Sequence, residues 1–173
     1  MKKLSFFSMM CLTALTIVAI ISCTKNDDET EEPTDSYVDL GLPSGTKWKN
    51  VNETKPNDTC DFYTYDEAME KYGSALPTKE QFDELKSCCQ WTWNDTKKGC
   101  EVVGPNSKSI FMPAVGYRNC DGSVGYVGYY GSYWSSSPYD RDYAFRLLSS
   151  SYGGAHIHDV FKCMGLSVRL VQN

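Results

Sequence analysis

The chain changes character after Pro113, and this change constrains the fold more than any other feature. From there, short segments alternate with Gly and Ser, and the helical spacing of apolar residues stops. The 43 positions from Gly116 to His158 hold eight Tyr, eight Ser and seven Gly, with no Lys and no Glu. We therefore expect strands and loops in the second half. The predicted strands are Ala144–Leu148, His156–Phe161 and Leu166–Val171.

The first half carries two helical signals. Tyr65–Tyr72 is predicted to form a short helix. Thr78 and Gln81 make a capping box, which predicts the start of a second helix. The apolar residues that follow at helical spacing are Phe82, Leu85 and Cys89. Two early helices and a strand-rich second half indicate an α+β architecture.

Shorter strands are expected before and between these elements. Tyr37–Trp48 is predicted to contain an opening strand and a turn, and Gln90–Trp93 a further strand. Gly99–Val103 and Ser109–Met112 are predicted to pair as a hairpin. In the closing segment Leu166–Val171, alternation predicts one apolar side, with Ser167 and Arg169 on the other.

The N-terminus predicts export and a lipid anchor. Lys2 and Lys3 precede the apolar run Phe6–Ile21, which is typical of a signal peptide rather than a membrane span. Ile20-Ile21-Ser22-Cys23 resembles a bacterial lipobox, which implies a signal peptide at 1–22 and acylation of Cys23. Such a lipid would attach the chain to a membrane.

A polar, acidic segment follows at residues 23–36. It lacks apolar periodicity, so we expect a flexible tether. Lys25-Asn26-Asp27-Asp28 resembles the acidic export signal of surface lipoproteins in Bacteroidetes, which implies display on the outer face of the outer membrane. The alternative is a plain spacer in the periplasm. The remaining residues, 37–173, suit one domain with a core.

Net charge limits the possible partners. The formal net charge is −5, and becomes −7 without Lys2 and Lys3. With no basic patch either, this excludes nucleic acid as a partner.

The cysteines limit the possible covalent and metal chemistry. Export permits disulfides, but six cysteines beyond Cys23 allow many pairings. A bond from Cys88 or Cys89 to Cys100 is plausible. The zinc alternative is disfavoured because no CxxC pair exists.

Five motifs in order resemble the Fibrobacter succinogenes major paralogous (FISUMP) domain and its Bacteroides relatives. They are Tyr37–Trp48, Leu76–Phe82, Phe111–Arg118, Tyr133–Ser137 and Gly165–Val171. The resemblance implies a C-type lectin-like fold, with two short helices, small antiparallel sheets and long loops. In that fold the N- and C-terminal strands pair, and irregular loops build a ligand face. It also implies structural roles for Trp48, Trp134 and Arg169.

The same resemblance extends to the variable proteins of diversity-generating retroelements. Their variable positions lie just before the final strand, which here corresponds to Tyr139–Asp159. Alternation within this segment places Arg146, Leu148, Ser150 and Tyr152 on one side and Phe145, Leu147 and Ser149 on the other, so that one set can pack while the other is free to vary. A nearby reverse transcriptase and a template repeat in the genome would test this expectation.

Tyrosine offers large contact area at low entropic cost, and Ser and Gly offer adaptable neighbours. We therefore predict a recognition surface in the second half of the chain. Its expected members are Tyr139, Asp140, Arg141, Asp142, Tyr143, Arg146, Tyr152, His156 and His158. Tyr126, Tyr129, Tyr130 and Tyr133 are expected to flank it.

Other chemistries are less favoured. His156 and His158 share a strand face but lack an evident third ligand, so we expect no metal site. Trp93-Asn94-Asp95 matches a lectin calcium triplet, but lies too far from the last strand and more simply predicts a turn. Ser135–Ser137 lack the GxSxG context of a nucleophile. We expect no cofactor and no enzymatic activity.

The sequence thus predicts a ligand-binding protein anchored in the outer membrane and exposed at the cell surface. Its ligand would be an unidentified protein or glycan. Two alternatives stay open: a structural or adhesion component of the cell envelope, and a carbohydrate-binding module that uses tyrosines as sugar platforms.

Overall fold

The computed structural model describes residues 35–152 and 154–173. The predicted signal peptide, Cys23 and most of the predicted tether lie outside these residues. The described helices are α1 (Tyr65–Tyr72) and α2 (Lys79–Cys88), with a 3₁₀ turn at Gly73–Ala75 between them. The described strands are β1 (Tyr37–Asp39), β2 (Lys47–Lys49), β3 (Gln90–Asn94), β4 (Gly99–Val103), β5 (Ser109–Pro113), β6 (Tyr117–Arg118), β7 (Val124–Gly125), β8 (Tyr130–Pro138), β9 (Tyr143–Ser150), β10 (Gly154–Phe161) and β11 (Val171–Gln172).

Both helices begin at capping boxes. The Thr78 hydroxyl accepts from the Gln81 amide, and the Gln81 side chain accepts from the Thr78 amide, as the sequence predicts. Thr64 and Glu67 make the same exchange at the start of α1. Each box satisfies amides that the first turn of a helix leaves without an internal partner. The two predicted helices are therefore confirmed.

The strands form small antiparallel sheets. β3, β4 and β5 make one, and the predicted hairpin is its β4–β5 pair. β8, β9 and β10 make a second, with β9 in the centre. β1, β2 and β11 make a third, in which the last strand pairs with β2. The α+β architecture predicted from the sequence is confirmed.

Two clusters of buried side chains lie on opposite faces of the β8–β9–β10 sheet. Tyr133 and Leu147 belong to the cluster that includes side chains of α2, β4 and β5. Trp134 and Ala144 belong to the other, with side chains of α1. Neighbouring residues of a strand point to opposite faces, so each strand supplies both clusters. Both faces of the sheet are therefore packed. The face that carries Trp134 and Ala144 extends beyond the cluster around α1.

The closing segment differs from its prediction. Only Val171 and Gln172 form a strand, and residues 165–171 are all buried. Arg169 does not face solvent: its guanidinium donates to Asn52 Oδ1, the Lys49 carbonyl and the Phe111 carbonyl at 2.8–2.9 Å. Because the segment runs through the interior, its amides bond to several separate strands and loops instead of one ladder. Burial of Trp48, Trp134 and Arg169 agrees with the structural roles expected for them.

The disulfide expected at Cys100 is wrong. Cys120 and Cys163 form the bond, while Cys60, Cys88, Cys89 and Cys100 are free thiols. In the β3–β4 ladder, Trp93 lies opposite Cys100, and Cys89 lies beyond the far end. That offset is four residues, or about 13 Å of strand, which is too far for a disulfide. Cys100 is instead a buried core residue, and burial raises the pKa of its thiol.

Candidate functional site

The register of the β8–β9–β10 sheet places several predicted site residues on one face. Residues directly opposite in antiparallel strands project from the same face. Arg146 of β9 lies between Trp134 of β8 and His158 of β10. The next row along, towards the β9–β10 turn, holds Ser132, Leu148 and His156, and the one after it Tyr130, Ser150 and Gly154.

This face has a closed half and an open half. Trp134, Ala144 and Val160 are buried against the cluster around α1. Beyond them, Arg146 and Tyr130 are half-buried, and both histidines are exposed. In the rows beyond Arg146, Ser132 and Ser150 are buried, while Tyr130 is half-buried and His156 is exposed. We call the open set the tyrosine face; it consists of Tyr126, Tyr129, Tyr130, Arg146, Tyr152, His156 and His158.

Four tyrosines surround a small cavity on this face. Its volume is about 300 Å³, and its lining residues are Tyr126, Tyr129, Tyr130 and Tyr152. Tyr152, in the β9–β10 turn, is 77% exposed, and Tyr126 and Tyr129 are each 53% exposed. So much exposed aromatic area is unusual at one spot on a folded surface and indicates a contact site.

The loop before β8 holds these rings in position. The Tyr126 carbonyl accepts from the amides of Tyr129 and Tyr130 at 3.0 and 3.1 Å. The ring centroids of Tyr126 and Tyr130 are 5.0 Å apart. Tyr126 has a φ of 59°, a conformation that costs free energy for a bulky residue. Strained residues of this kind concentrate at functional sites.

Gly116 allows the same loop to pack closely. Its φ is +79°, and a Cβ added there would lie 2.2 Å from the Gly125 carbonyl oxygen. Only glycine fits at such a distance. The next residue, Tyr117, stacks on Tyr126 with ring centroids 5.3 Å apart. Tyr117 therefore joins the edge of the site, although the sequence gives it only as part of a scaffold motif.

Arg146 is the main electrostatic feature of the tyrosine face. Its guanidinium lies over the Tyr117 ring, 5.4 Å from the centroid, and Nη1 donates to Ser132 Oγ at 3.1 Å. Nε is buried and has no hydrogen-bond partner among the described residues. Burial lowers the pKa of Arg146. A desolvated charge with unused donors is typical of a binding site.

The histidines complete the open half. The rings of His156 and His158 lie 5.9 Å apart and are stacked, as expected for residues two apart on a strand. No group of three or more His, Cys, Asp or Glu side chains suited to a metal occurs in residues 35–152 and 154–173. Trp93 and Asn94 end β3 and Asp95 begins the turn to β4, where Asn94 Oδ1 accepts from the amides of Thr96 and Lys97.

The predicted surface is divided by the structure. Residues 139–143, which we call the hairpin tip, connect β8 to β9 at the opposite end from Tyr152. Tyr143 and Ser150 mark the two ends of β9, seven residues and about 23 Å apart. The hairpin tip and the tyrosine face therefore cannot contact one small ligand together.

Most polar groups and rings of the hairpin tip make contacts within the domain. Asp140 Oδ1 accepts from the amides of Asp142 and Tyr143, both at 2.8 Å. Lys162 Nζ donates to the carbonyls of Asp140 and Arg141 at 2.8 and 2.9 Å. Tyr139 packs edge-on against Phe145, and Tyr143 packs against Phe161. These side chains form a turn and its support, which explains their polar and aromatic character without a ligand.

Tyr133 is also removed from the predicted surface. It lies opposite Leu147, on the other face of the sheet, and is fully buried. Its hydroxyl donates to the Pro113 carbonyl at 2.6 Å, and burial raises its pKa to about 12. Alternation along β8 explains the difference from Tyr130: three residues separate them, so they face opposite sides.

A second cavity lies on the far side of the same loop. Its volume is about 450 Å³, and Val127, Gly128, Pro113 and Ala114 are among its lining residues. It is larger than the cavity of the tyrosine face, but no aromatic ring and no unpaired buried charge lines it. The tyrosine face is therefore the stronger candidate for recognition.

Comparison of the chain with protein-family models, with curated proteins and with solved structures found no match. Within the described ranges, neither helix has the length and apolar character that a membrane crossing requires. The functional argument therefore rests on the geometry of the tyrosine face.

Proposed function

We propose that this chain is a lipid-anchored binding protein that presents the tyrosine face to a ligand at the cell surface. One observation carries the proposal: four tyrosines surround a cavity of about 300 Å³, and one of them, Tyr126, stacks on the Tyr117 ring that lies under the Arg146 guanidinium. Tyrosine rings give contact area with little entropy to lose, and arginine is frequent among the residues that dominate interfaces.

We further propose that the domain is of the FISUMP type, with a C-type lectin-like fold. The five ordered motifs support this assignment, as does the pairing of β11 with β2, which joins the last strand to one of the first. The tyrosine face then corresponds to the loop-built ligand face of that fold. Its segment 144–158 includes positions that a diversity-generating retroelement would vary, and a reverse transcriptase beside the gene would test this.

The anchor belongs to the same proposal. Cys23 would carry the lipid, and the acidic segment after it would hold the domain away from the outer membrane. Metabolic labelling with a palmitate analogue tests the anchor: a Cys23→Ser chain should lose the label, whereas Cys11→Ser should keep it. Protease treatment of intact cells tests the outer-face location.

The hydrogen bonds of Ser135 and Ser137 favour recognition over catalysis. Ser135 is buried, and its hydroxyl accepts from the Ser137 amide at 2.8 Å. Ser137 Oγ accepts from the Lys79 amide at the start of α2. These serines hold β8 against α2, so their hydroxyls serve the fold and not a nucleophilic reaction.

A carbohydrate-binding module is the second candidate function, and the exposed rings favour it over a purely structural envelope component. A glycan array and a pull-down from outer membranes with the full-length chain separate a glycan from a protein ligand. Tyr152→Ala should weaken whichever interaction is found by about tenfold or more.

Tyr139→Ala is the matched control. Tyr139 is 58% exposed, but it lies at the hairpin tip, so its removal should leave binding unchanged. If neither assay finds a ligand whose binding falls on Tyr152→Ala, the proposed function is wrong.

A further inference from the structure

We infer that the tyrosine face binds a sugar ring that carries a negative charge, with Arg146 holding the anion and the tyrosines holding the ring. The inference rests on the proposed function and goes further by naming the chemical class of the ligand. It follows from the different hydrogen bonding of two arginines, Arg146 and Arg169, and from the volume and tyrosine lining of the cavity.

Arg169 shows how this fold satisfies an arginine that serves structure. Its Nε, Nη1 and Nη2 each donate to an acceptor, one side-chain amide and two carbonyls. Arg146 differs: Ser132 Oγ is the acceptor for Nη1, and Nε is buried without one in the described part of the chain. A guanidinium has five N–H donors, and the hydrogen bond from Nη1 to Ser132 Oγ is the one that Arg146 makes within the described residues.

The neighbours of Arg146 do not neutralise its charge. No salt bridge among the described residues includes it. Asp159 contributes a favourable field, but lies opposite Phe145 and so projects from the other face of the sheet. Directly beside Arg146 are the Trp134 ring and the exposed His158. A buried charge that lacks a partner costs free energy, and a bound anion would remove that cost.

The anion that best fits a guanidinium is planar or fork-shaped. A carboxylate accepts two parallel N–H donors from arginine, and a sulfate can do the same. His158 lies across the strand pair from Arg146, and an imidazole N–H can donate to the same anion. Carboxylate and sulfate are therefore the two groups to compare, since both supply the required chemistry.

The cavity argues for a ring rather than an extended chain. Its volume of about 300 Å³ is at the small end for ligand pockets, and four tyrosines surround it. Their rings offer apolar faces, and their hydroxyls can exchange hydrogen bonds with a sugar. Tyr117 connects the two parts, because it stacks on Tyr126 and lies under the Arg146 guanidinium.

Titration calorimetry of the full-length chain in detergent at low salt tests the inference with four probes. They are trigalacturonate, its methyl ester, a sulfated galactose trisaccharide and an acetylated tetraglutamate peptide. At least one charged sugar should bind about tenfold or more tightly than the methyl ester, because hydrogen bonds to charged groups are the stronger kind. The order of carboxylate and sulfate identifies the preferred anion.

Arg146→Gln should abolish the preference for the charged sugar, and Arg146→Lys should keep part of it. Arg141→Gln is the matched control, because Arg141 is an exposed arginine at the hairpin tip. The unmodified chain alone gives the comparison of acid with methyl ester, so that result does not depend on how well the variants fold.

Equal binding of the acid and its ester, an unchanged preference in Arg146→Gln, or tighter binding of the peptide would each overturn the inference. So would a failure of both charged sugars to bind. None of these results decides the proposed function, which stands or falls separately on the Tyr152→Ala result with the ligand found by the array or pull-down.

Discussion

At one end of the β8–β9–β10 sheet, the hairpin tip satisfies its own polar groups: Asp140 accepts two amides, and Lys162 donates to two carbonyls. Midway along β9, Arg146 keeps a buried donor without a partner in the described residues, and at the far end of the sheet Tyr152 projects into solvent. Both ends are built from tyrosines, arginines and small polar residues. They differ in how many of their donors and acceptors are already used.

The number of unused donors and acceptors distinguishes structural residues from contact residues, although the two groups have similar composition. A charged or aromatic residue that is fully engaged within the fold has little left to offer a ligand, while one with unused donors and exposed ring area has much. Variants at the two ends should therefore affect different measurements. Those near the hairpin tip and the core should change the free energy of unfolding, and those on the tyrosine face should change binding.

The largest expected effect on stability is at Trp134, which lies directly opposite Arg146 on the same face of the sheet. Trp134→Ala should lower the free energy of unfolding by about 3–5 kcal/mol. Trp134 is fully buried, its Nε1 donates to the Tyr63 carbonyl at 2.7 Å, and it packs edge-on against Tyr65. Urea denaturation of the full-length chain measures the change.

Arg146→Met, directly opposite in register, is the matched control. It removes a poorly paired charge and keeps a side chain of similar length, so we expect a change below about 1 kcal/mol. If Arg146→Met destabilises the chain as much as Trp134→Ala, Arg146 is a structural residue and the contrast between the two ends is lost.

The disulfide gives the next largest effect. Cys120 and Cys163 are 43 residues apart, and Cys163 lies beside the hairpin tip, lining a cavity there with Tyr143 and Lys162. Replacing both cysteines by serine should lower the free energy of unfolding by about 2–4 kcal/mol, because the unfolded chain gains freedom. Hydrogen exchange should quicken at Tyr143 and Phe161 before it quickens at Ser150.

Cys60→Ser is the control for this double variant, since Cys60 is a free, half-buried thiol. It should change stability by less than about 1 kcal/mol. Peptide mapping without reductant should recover the Cys120–Cys163 pair. Recovery of a Cys88–Cys100 or Cys89–Cys100 pair would contradict the structure.

Local signals allowed much of the fold to be predicted. Both helices begin at capping boxes that can be read within four residues, and the β4–β5 hairpin follows from two short runs on either side of a turn. Local signals do not determine the closing segment, because alternation in Leu166–Val171 predicts a strand with one polar side. Arg169 is nevertheless buried, and its acceptors come from segments more than 50 residues away.

The candidate site could be predicted only in part. Tyr130, Tyr152 and His156 lie towards one end of the sheet, and Arg146 and His158 lie midway along β9, but proximity in the sequence also groups the hairpin tip with them. Sequence distance does not distinguish the two ends of an eight-residue strand. Composition carries no information about strand faces, so it does not separate Tyr133 from Tyr130, and the stacking of Tyr117 on Tyr126 depends on a loop contact that no periodicity reveals.

The smallest expected effect tests the hairpin tip itself. Asp140→Ala should lower the free energy of unfolding by about 1 kcal/mol, because the amides of Asp142 and Tyr143 lose their acceptor. Asp140→Asn keeps an accepting oxygen and should cost less. Asp142→Ala is the matched control, since its carboxylate makes no hydrogen bond with the described residues. Thermal denaturation measures all three, and each should bind ligand like the unmodified chain.

Equal losses of stability for Asp140→Ala and Asp142→Ala would refute the turn role of Asp140. Weakened ligand binding in either variant would place the hairpin tip within the recognition surface.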